Sequence, residues 1–258
     1  MDEQRIFVQF IRIRNKNMDL KINMLYLGTS GWYYEHWIDQ FYPSDLSKSD
    51  WLSFYADRFN TVEVNASFYR LPFKNMIKGW KNKTPDDFFF FFKGSQLITY
   101  KKKLQDVEEY LNRFHQRIRL AKKIGVVLWQ LPPSLKKDID RLESFLQLLD
   151  SDLRHCVEFR HKSWFDDGVF DLLRRYNIGF CILSAPKLPS TVQVTSDFAY
   201  IRWHGVNDWY QHDYTDEELK EWAETINSFD VDTVFGYFNN DYQGLAPKNC
   251  LALKKILS

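Results

Sequence analysis

The sequence has few cysteines, no Gly-rich nucleotide motif and no long apolar run. Its three cysteines, Cys156, Cys181 and Cys250, are odd in number and far apart, with no C-x-x-C pair. This argues against a disulfide framework or a zinc knuckle and predicts a cytoplasmic location. The first predicted strand leads into GTSGW (28–32) rather than G-x-G-x-x-G. No apolar run approaches the ~20 residues of a membrane helix, so no membrane partner is expected.

The chain also lacks a net charge of either sign. It has 35 Lys and Arg against 34 Asp and Glu, which gives a formal net charge of +1. Such a balance produces no global field toward nucleic acid or a membrane surface. Any anionic ligand must therefore be bound by a local group of cationic side chains.

Residues 1–23 precede the alternation of strand-like and helix-like stretches that fills the rest of the chain. Their apolar stretch, Ile6–Ile11, is short, and no small-residue cleavage site follows it, which argues against a signal peptide. We predict an N-terminal extension over residues 1–23, with Met24 as an alternative start, and one domain over residues 24–258.

From Leu25 onward, short apolar runs alternate with amphipathic stretches of helical period. Strands are predicted from residues 25, 61, 88, 126, 156, 179, 199 and 233, the second of them over 61–69. A helix is predicted after every strand except the sixth, where 184–197 is predicted to be a loop. Because crossover helices join parallel strands, the pattern predicts an α/β fold with a parallel sheet. Eight such units fit a single (β/α)8 TIM barrel better than an open sheet.

Polar side chains occur at the carboxyl ends of these strands, which form the functional face of such a barrel. In TVEVNASFY (61–69), Val62 and Val64 face the helices, so Glu63 and Asn65 face the interior. The same alternation turns four further residues inward: Glu158, Arg160, Arg202 and His204. The remaining strand-end candidates are Ser30, Trp32, Ser67, Lys93, Gln130, His161, Ser184, Asn239, Asn240 and Asp241.

Charge inside a barrel is either paired or functional. One interpretation is a network without chemistry, in which Arg160, Arg202 and Lys93 neutralise the two glutamates. The other is a catalytic site in which Glu63, Glu158 or His204 acts as a general acid or base. A separation beyond about 10 Å, or bidentate arginine pairing of both carboxylates, would argue against a catalytic carboxylate pair.

Aromatic residues make up 17% of the chain, and several follow strand ends. They either stack on sugars or bases or only close the barrel mouth. They are Trp32, Tyr33, Trp37, Phe68, Tyr69, Trp164, Phe165, Trp209, Tyr210 and Tyr242. No cofactor is expected. A single divalent metal ion held by His161, His204 and one of the glutamates is a weaker alternative.

Six stretches resemble the YecE-like family, a domain of unknown function. They are GTSGWYYEHWIDQFYP (28–43), FNTVEVNASFYRLP (59–72), LWQLPPS (128–134), VEFRHKSWF (157–165), AYIRWHGVNDWY (199–210) and YFNNDYQGLAPKNCLAL (237–253). The resemblance covers the chain from Met24 onward and implies a TIM barrel without an established activity. The likeness of this fold to endonuclease IV and to sugar isomerases suggests nucleic-acid or sugar chemistry by analogy only.

The family motifs imply site residues at Glu63, Asn65, Tyr69, Arg70, Glu158, Arg160, His161, Trp164, Arg202, His204, Gly205, Asn239, Asn240 and Asp241. The sequence departs from the family pattern in two places. ITYKKKL (98–104) has Tyr100 where the family usually has histidine, and strand six ends in ILSAP (182–186) rather than near an aspartate. If either missing group carries a proton in the family, the chemistry of this chain differs.

These observations predict a hydrolase-type enzyme acting on a phosphate- or sugar-containing, nucleic-acid-like substrate at the C-terminal barrel face. Glu63, Glu158 and His204 are the predicted catalytic residues, and the other motif residues, with Trp32 and Trp209, are predicted to bind a small anionic or sugar-phosphate ligand. The alternative is a non-catalytic protein that binds a nucleotide or single-stranded nucleic acid through the aromatic rim and Lys101–Lys103.

Overall fold

The computed structural model describes residues 22–121 and 123–258. The predicted N-terminal extension, apart from Ile22 and Asn23, lies outside the described residues. The backbone N–H groups of Asn23 and Met24 donate to the Asp232 carbonyl at 2.8 and 2.9 Å. These bonds attach the start of the domain to the residue before the last strand.

Eight parallel strands form a nearly closed barrel, and this confirms the predicted single (β/α)8 fold. Hydrogen-bonded neighbours follow the order β1-β8-β7-β6-β5-β4-β3-β2. The strands are β1 (Met24–Thr29), β2 (Thr61–Val64), β3 (Phe89–Lys93), β4 (Ile124–Gln130), β5 (Arg154–Glu158), β6 (Gly179–Ser184), β7 (Phe198–Trp203) and β8 (Thr233–Phe238).

The two ends of this order, β1 and β2, are joined by a side chain. The Tyr55 hydroxyl accepts from the Thr29 N–H at 3.0 Å and lies 3.1 Å from the Thr61 carbonyl, to which it donates. A Cβ added at Gly28 would lie only 2.5 Å from the Thr61 carbonyl oxygen. The close approach of β1 to β2 therefore requires glycine at this position.

In the part of the chain that the structure describes, eight helices lie around the barrel, and all of them except the second fall where the sequence predicts a helix. They are α1 (Trp51–Ala56), α2 (Ala66–Tyr69), α3 (Lys74–Asn82), α4 (Glu108–Ile118), α5 (Ile139–Gln147), α6 (Asp167–Arg175), α7 (Asp216–Asn227) and α8 (Leu245–Leu257). No helix lies between β6 and β7, as predicted for that loop. Among the residues described, no helix is both long and apolar enough to cross a membrane.

The second strand is shorter than predicted. The sequence 61–69 was expected to be strand throughout, but β2 ends at Val64 and α2 occupies Ala66–Tyr69. Asn65 takes a right-handed helical backbone, with φ −75° and ψ −25°. The Ser67 hydroxyl then lies 2.8 Å from the carbonyl oxygen of Val64, so the turn satisfies an acceptor at the end of the strand.

Apolar side chains fill two layers, one on each side of the sheet. Val62, Val64 and Trp203 belong to the outer cluster, which packs between the strands and the helices. Phe91, Tyr200 and other large strand side chains form a separate cluster inside the barrel. The predicted alternation is therefore confirmed, and polar side chains occupy the interior toward the carboxyl ends of the strands. Burial of each large apolar side chain stabilises the fold by roughly 1.5–3 kcal/mol.

Candidate functional site

Arg202 lies at the centre of the charged cluster, in the interior of the barrel. Its Nη2 lies 2.6 Å from Glu63 Oε1, and its Nη1 donates to Glu158 Oε2. All three side chains are completely buried. Burial opposes the charge of Arg202, but the two glutamates outweigh it and raise the pKa of the guanidinium well above its usual value. One arginine from β7 thus bridges carboxylates from β2 and β5.

Glu63 has a donor at each oxygen. Ser30 Oγ lies 2.9 Å from Oε1, which also accepts from Arg202, and the Tyr200 hydroxyl donates to Oε2 at 2.7 Å. A carboxylate whose two oxygens are both occupied by donors is held in one orientation. The local geometry therefore favours an anchoring role for Glu63 over proton transfer.

Glu158 is held by four groups. Gln130 Nε2 donates to Oε1 at 2.8 Å, the Arg160 Nε–H donates to the same oxygen, and Arg202 donates to Oε2. His204 Nε2 lies 3.5 Å from Oε1. Burial opposes ionisation, but the neighbouring guanidiniums and His204 outweigh it, so the pKa of Glu158 lies well below its usual value. At neutral pH Glu158 is a carboxylate and cannot donate a proton.

His204 follows β7 and is also fully buried. Its Nε2 lies 3.1 Å from Arg160 Nη2 and 3.4 Å from Arg202 Nη1, and its Nδ1 lies 3.0 Å from the Asn239 amide nitrogen. Burial and the two guanidiniums lower the pKa of His204 well below its usual value. The imidazole is therefore neutral and can accept a proton only if a neighbouring cation moves away.

Lys93, the last residue of β3, is the third cation of the site. Its Nζ lies 4.3 Å from the centroid of the Phe68 ring, and in the described part of the chain it forms no ion pair or hydrogen bond. Burial and the nearby Arg202 lower the pKa of Lys93 to about 7, although both glutamates oppose the shift. The contact with the ring opposes this shift, since a cation over an aromatic face is favoured by about 2 kcal/mol at a desolvated site. Neutral amine is therefore present at physiological pH.

Tyr100 extends the hydrogen-bond network beyond Gln130. Its hydroxyl donates to Gln130 Oε1 at 3.0 Å, and Gln130 in turn donates to Glu158. Tyr100 lies in a π-helical turn, Leu97–Lys101, a type of turn often found at functional sites. Burial raises the pKa of its phenol to about 12, so the hydroxyl stays protonated.

Arg160 is the guanidinium that a ligand can reach. Its side chain keeps 10% of its surface exposed, and its guanidinium carbon lies 4.5 Å from the centroid of the Trp209 ring. The loop that carries Trp209 begins at Gly205, which has φ +122° and donates its N–H to the Tyr214 hydroxyl at 3.0 Å. Trp209 therefore covers the charged cluster from the barrel mouth.

Three predicted binding residues lie apart from this cluster. Trp32 is buried and packs edge-on against Trp80, and Trp164 is fully buried and stacks on Phe159. His161 caps a short 3-10 turn, in which its Nδ1 accepts from the Ser163 N–H at 3.1 Å. Position after a strand end did not indicate which way these side chains point.

The residues after β8 mostly bond to α8 and to the turn after β1. Asn240 donates to Asn249 Oδ1 at 2.6 Å, and Asp241 accepts from Trp37 Nε1 at 2.6 Å and lies 3.0 Å from His36 Nε2. Burial raises the pKa of Asp241 to about 6, against the effect of Trp37 and His36. Asn239 alone of these three contacts the cluster, through His204.

The residues after β2 divide between the cluster and the surface. Asn65 Nδ2 donates to the Ser30 carbonyl at 3.0 Å, and its Oδ1 is buried without a hydrogen-bond partner. Tyr69 is 71% exposed, and the Arg70 guanidinium stacks 4.1 Å from the centroid of the Phe73 ring. Tyr69 and Arg70 are thus available to a ligand only above the barrel mouth.

No group of three or more His, Cys, Asp or Glu side chains is arranged to hold a metal ion within residues 22–121 and 123–258. The cluster is instead dominated by cations. The imidazole of His204 faces two guanidiniums, and the glutamates already accept from arginines.

A cavity of about 790 Å³ opens at the opposite end of the barrel, around the starts of β4, β5 and β6. Its polar wall includes Asp150, Arg154 and Asp197. Asp150 pairs with Arg119 at 2.5 Å, and Arg154 Nη2 lies 3.9 Å from Asp197. These are surface ion pairs, so we place the candidate site at the carboxyl end, where buried charges converge.

The fold and the site define a TIM barrel with a buried arginine–glutamate cluster at its C-terminal face. The family described as "Protein of unknown function DUF72" matches residues 26–258, and the chain belongs to this family. This confirms the YecE-like resemblance of the sequence.

Relatives and solved structures agree with this assignment. UPF0759 protein YunF of Bacillus subtilis is 26% identical over 91% of this chain and 95% of its own length. UPF0759 protein YecE of Escherichia coli is 31% identical over 56% of this chain and 52% of its own length. A DUF72 family protein from Thermotoga maritima (TM1631) has a TM-score of 0.83 and 31% identity, covering 91% of this chain and 99% of that one. A second DUF72 protein, from Enterococcus faecalis (EF0366), has a TM-score of 0.78 at 21% identity, covering 91% of this chain and 95% of that one.

Proposed function

We propose that this protein is an enzyme that binds a small substrate with a phosphate or sugar-phosphate group at the C-terminal face of the barrel and hydrolyses a phosphoester or glycosidic bond. One observation carries the proposal. Glu63 and Glu158 neutralise Arg202 and Arg160, whereas Lys93, whose pKa of about 7 leaves it partly protonated at neutral pH, has no carboxylate partner. The site therefore has capacity for one anionic group.

The arginines and the glutamates have different roles in this proposal. Arg160, partly exposed, contacts the anion directly, whereas Arg202, fully buried, supplies positive potential from below. Glu63 and Glu158 hold the guanidiniums in place, so they are positioning residues rather than proton carriers. This departs from the predicted acid–base pair and follows from the donors that occupy all four carboxylate oxygens.

His204 is the proton acceptor in this proposal. Its imidazole is neutral, but Arg160 Nη2 lies 3.1 Å from its Nε2 in the structure described. When Arg160 turns toward a bound anion, the nearest donor leaves this nitrogen and the more distant Arg202 Nη1, at 3.4 Å, stays in place, so that Nε2 can accept a proton from an attacking water. Ligand binding and activation of the base are then linked through one guanidinium.

A screen of nitrophenyl phosphomonoesters, phosphodiesters and glycosides tests the function. We expect at least one class to be hydrolysed by the wild type and at least tenfold more slowly by Arg160→Gln and His204→Gln. Arg154→Gln is the matched control, because Arg154 begins the strand that Glu158 ends and its side chain is 46% exposed. Activity that is equal in Arg160→Gln and the wild type would refute the proposed site.

A second candidate function is binding of a nucleotide or single-stranded nucleic acid without catalysis. Four tyrosines in the segments after strand ends are exposed: Tyr33 (58%), Tyr69 (71%), Tyr210 (43%) and Tyr242 (50%). Stacking on such rings contributes about 1–3 kcal/mol per base. Titration with oligonucleotides should then quench tryptophan fluorescence in a salt-dependent way. The absence of quenching at low salt would exclude this function.

A further inference from the structure

Lys93 differs from the other cations of the site because its amine is unengaged. Across the described residues Nζ has neither an ion pair nor a side-chain hydrogen bond. Lys93 ends β3 at the carboxyl end of the barrel and is only partly buried. The ring of Phe68 supports it, with Nζ 4.3 Å from the ring centroid.

The surroundings of this amine favour its neutral, nucleophilic form. Burial and the positive charges of Arg202 and Arg160 act against the ammonium, and the pKa of Lys93 is lowered to about 7. The carboxylates that would otherwise stabilise the ammonium are occupied by arginines. A lysine activated by desolvation and a neighbouring cation is the usual arrangement for covalent chemistry with carbonyl compounds.

We infer that Lys93 is a nucleophilic lysine that forms an imine with an aldehyde or ketone substrate, and that Arg160 binds an anionic group, such as a phosphate, on the same molecule. This inference shares the anion-binding part of the proposed function but does not depend on hydrolysis. An open-chain sugar phosphate has both features.

The covalent step conserves atoms and electrons. The amine lone pair adds to the carbonyl carbon, and the C=O π pair moves to oxygen, which takes a proton from water. The nitrogen gives up one proton to form a carbinolamine. The nitrogen lone pair then forms the C=N bond, while the C–O bond breaks and hydroxide leaves with a proton as water. Amine, carbonyl and one proton thus yield an iminium ion and water, and no oxidant is required.

Pyridoxal 5′-phosphate, an aldehyde that carries a phosphate, is a direct probe of this site. The full-length chain is incubated with less than one equivalent at pH 7.5, reduced with sodium borohydride and mapped by peptide mass spectrometry. We expect the label chiefly at Lys93, at least tenfold less with pyridoxal, which has no phosphate, and protection by inorganic phosphate. A label spread over other lysines, or equal labelling of Lys93 by both aldehydes, would overturn the inference.

Two variants complete the test. Lys93→Arg keeps a long basic side chain without the nucleophilic amine and should lose the label, whereas Lys123→Arg should keep it. Lys123 is the matched control, because its Nζ also lies over a phenylalanine ring, 5.7 Å from the centroid of Phe89, before β4 at the opposite end of the barrel. Calorimetric binding of phosphate to the wild type separates the two proposals. Phosphate binding without labelling of Lys93 refutes the imine and leaves the anion site intact.

Discussion

Arg202 Nη2 lies 2.6 Å from Glu63 Oε1 in the interior of the barrel, and neither side chain has any exposed surface. Both charges were removed from water when the chain folded, and each is compensated mainly by its partners. Loss of one partner leaves an uncompensated charge in a dry environment. The cluster is thus both the candidate site and a point where the fold is sensitive to substitution.

We expect Glu63→Gln to lower the free energy of unfolding by about 3–5 kcal/mol, because Arg202 would keep only its pairing with Glu158. Urea denaturation at neutral pH measures this loss. The control is Glu35→Gln, which removes an exposed pair with Lys48 and should change stability far less, because solvent screens an exposed pair. Equal, small effects of both substitutions would contradict the buried-pair account.

Lys93→Met should stabilise the protein. Burial lowers the pKa of Lys93 to about 7, so the folded state binds fewer protons than the unfolded state between that pH and its usual value near 10.5. The stability of the wild type therefore rises with pH across this range. We expect the variant to be more stable at pH 7 by up to about 2 kcal/mol, with a smaller advantage at pH 9. An advantage that does not shrink with pH would contradict a lowered pKa.

Acid should destabilise the protein partly through His115. Burial lowers the pKa of His115 to about 4, and its Nε2 is buried without a hydrogen-bond partner. The unfolded state takes up a proton near pH 6.5 and the folded state does not, so stability falls as pH drops from about 7 to 4. Between pH 7 and pH 5 the free energy of unfolding should fall in both proteins. We expect the fall in His115→Phe to be smaller than in the wild type by at least about 1 kcal/mol. An equal fall in the unfolding free energies of the wild type and the variant, measured by urea denaturation, would exclude this cause.

Gly205→Ala should disturb the loop that places Trp209 over Arg160. Gly205 has φ +122°, and an added Cβ would lie 2.2 Å from the Asp208 carbonyl oxygen. We expect a loss of about 1–3 kcal/mol in unfolding free energy and a change in tryptophan fluorescence. Gly79→Ala, in α3 with open space around the new Cβ, should instead stabilise by about 0.5–1 kcal/mol. Tolerance of alanine at both positions would refute the strain argument.

The barrel could be predicted from the sequence because its strands and helices alternate with clear periods. The alternation of Val62, Glu63 and Val64 was enough to place the glutamate inside. The end of β2 was missed, because Asn65 turns into a helical backbone within a stretch rich in strand-forming residues. The local sequence pattern does not distinguish the last residue of β2 from the first turn of α2.

The site could be predicted in part. Alternation predicts the inward charges on β2, β5 and β7. It does not predict which carboxylate binds which arginine, because partners such as Glu63 and Arg202 are 139 residues apart in the sequence. Tyr200 was missed because a phenol inside an apolar strand is typical of core packing. The contact of Tyr100 with Gln130 depends on the fold, because the turn after β3 and the end of β4 become neighbours only in the barrel.

Calorimetric titration with inorganic phosphate at low salt tests most directly whether this cluster is an anion site. We expect the wild type and Arg154→Gln to bind phosphate with similar affinity. Arg160→Gln should bind at least tenfold more weakly, since loss of a hydrogen bond from a charged donor costs about 1.5–3 kcal/mol. No binding to the wild type, or equal binding to the wild type and Arg160→Gln, would contradict the account.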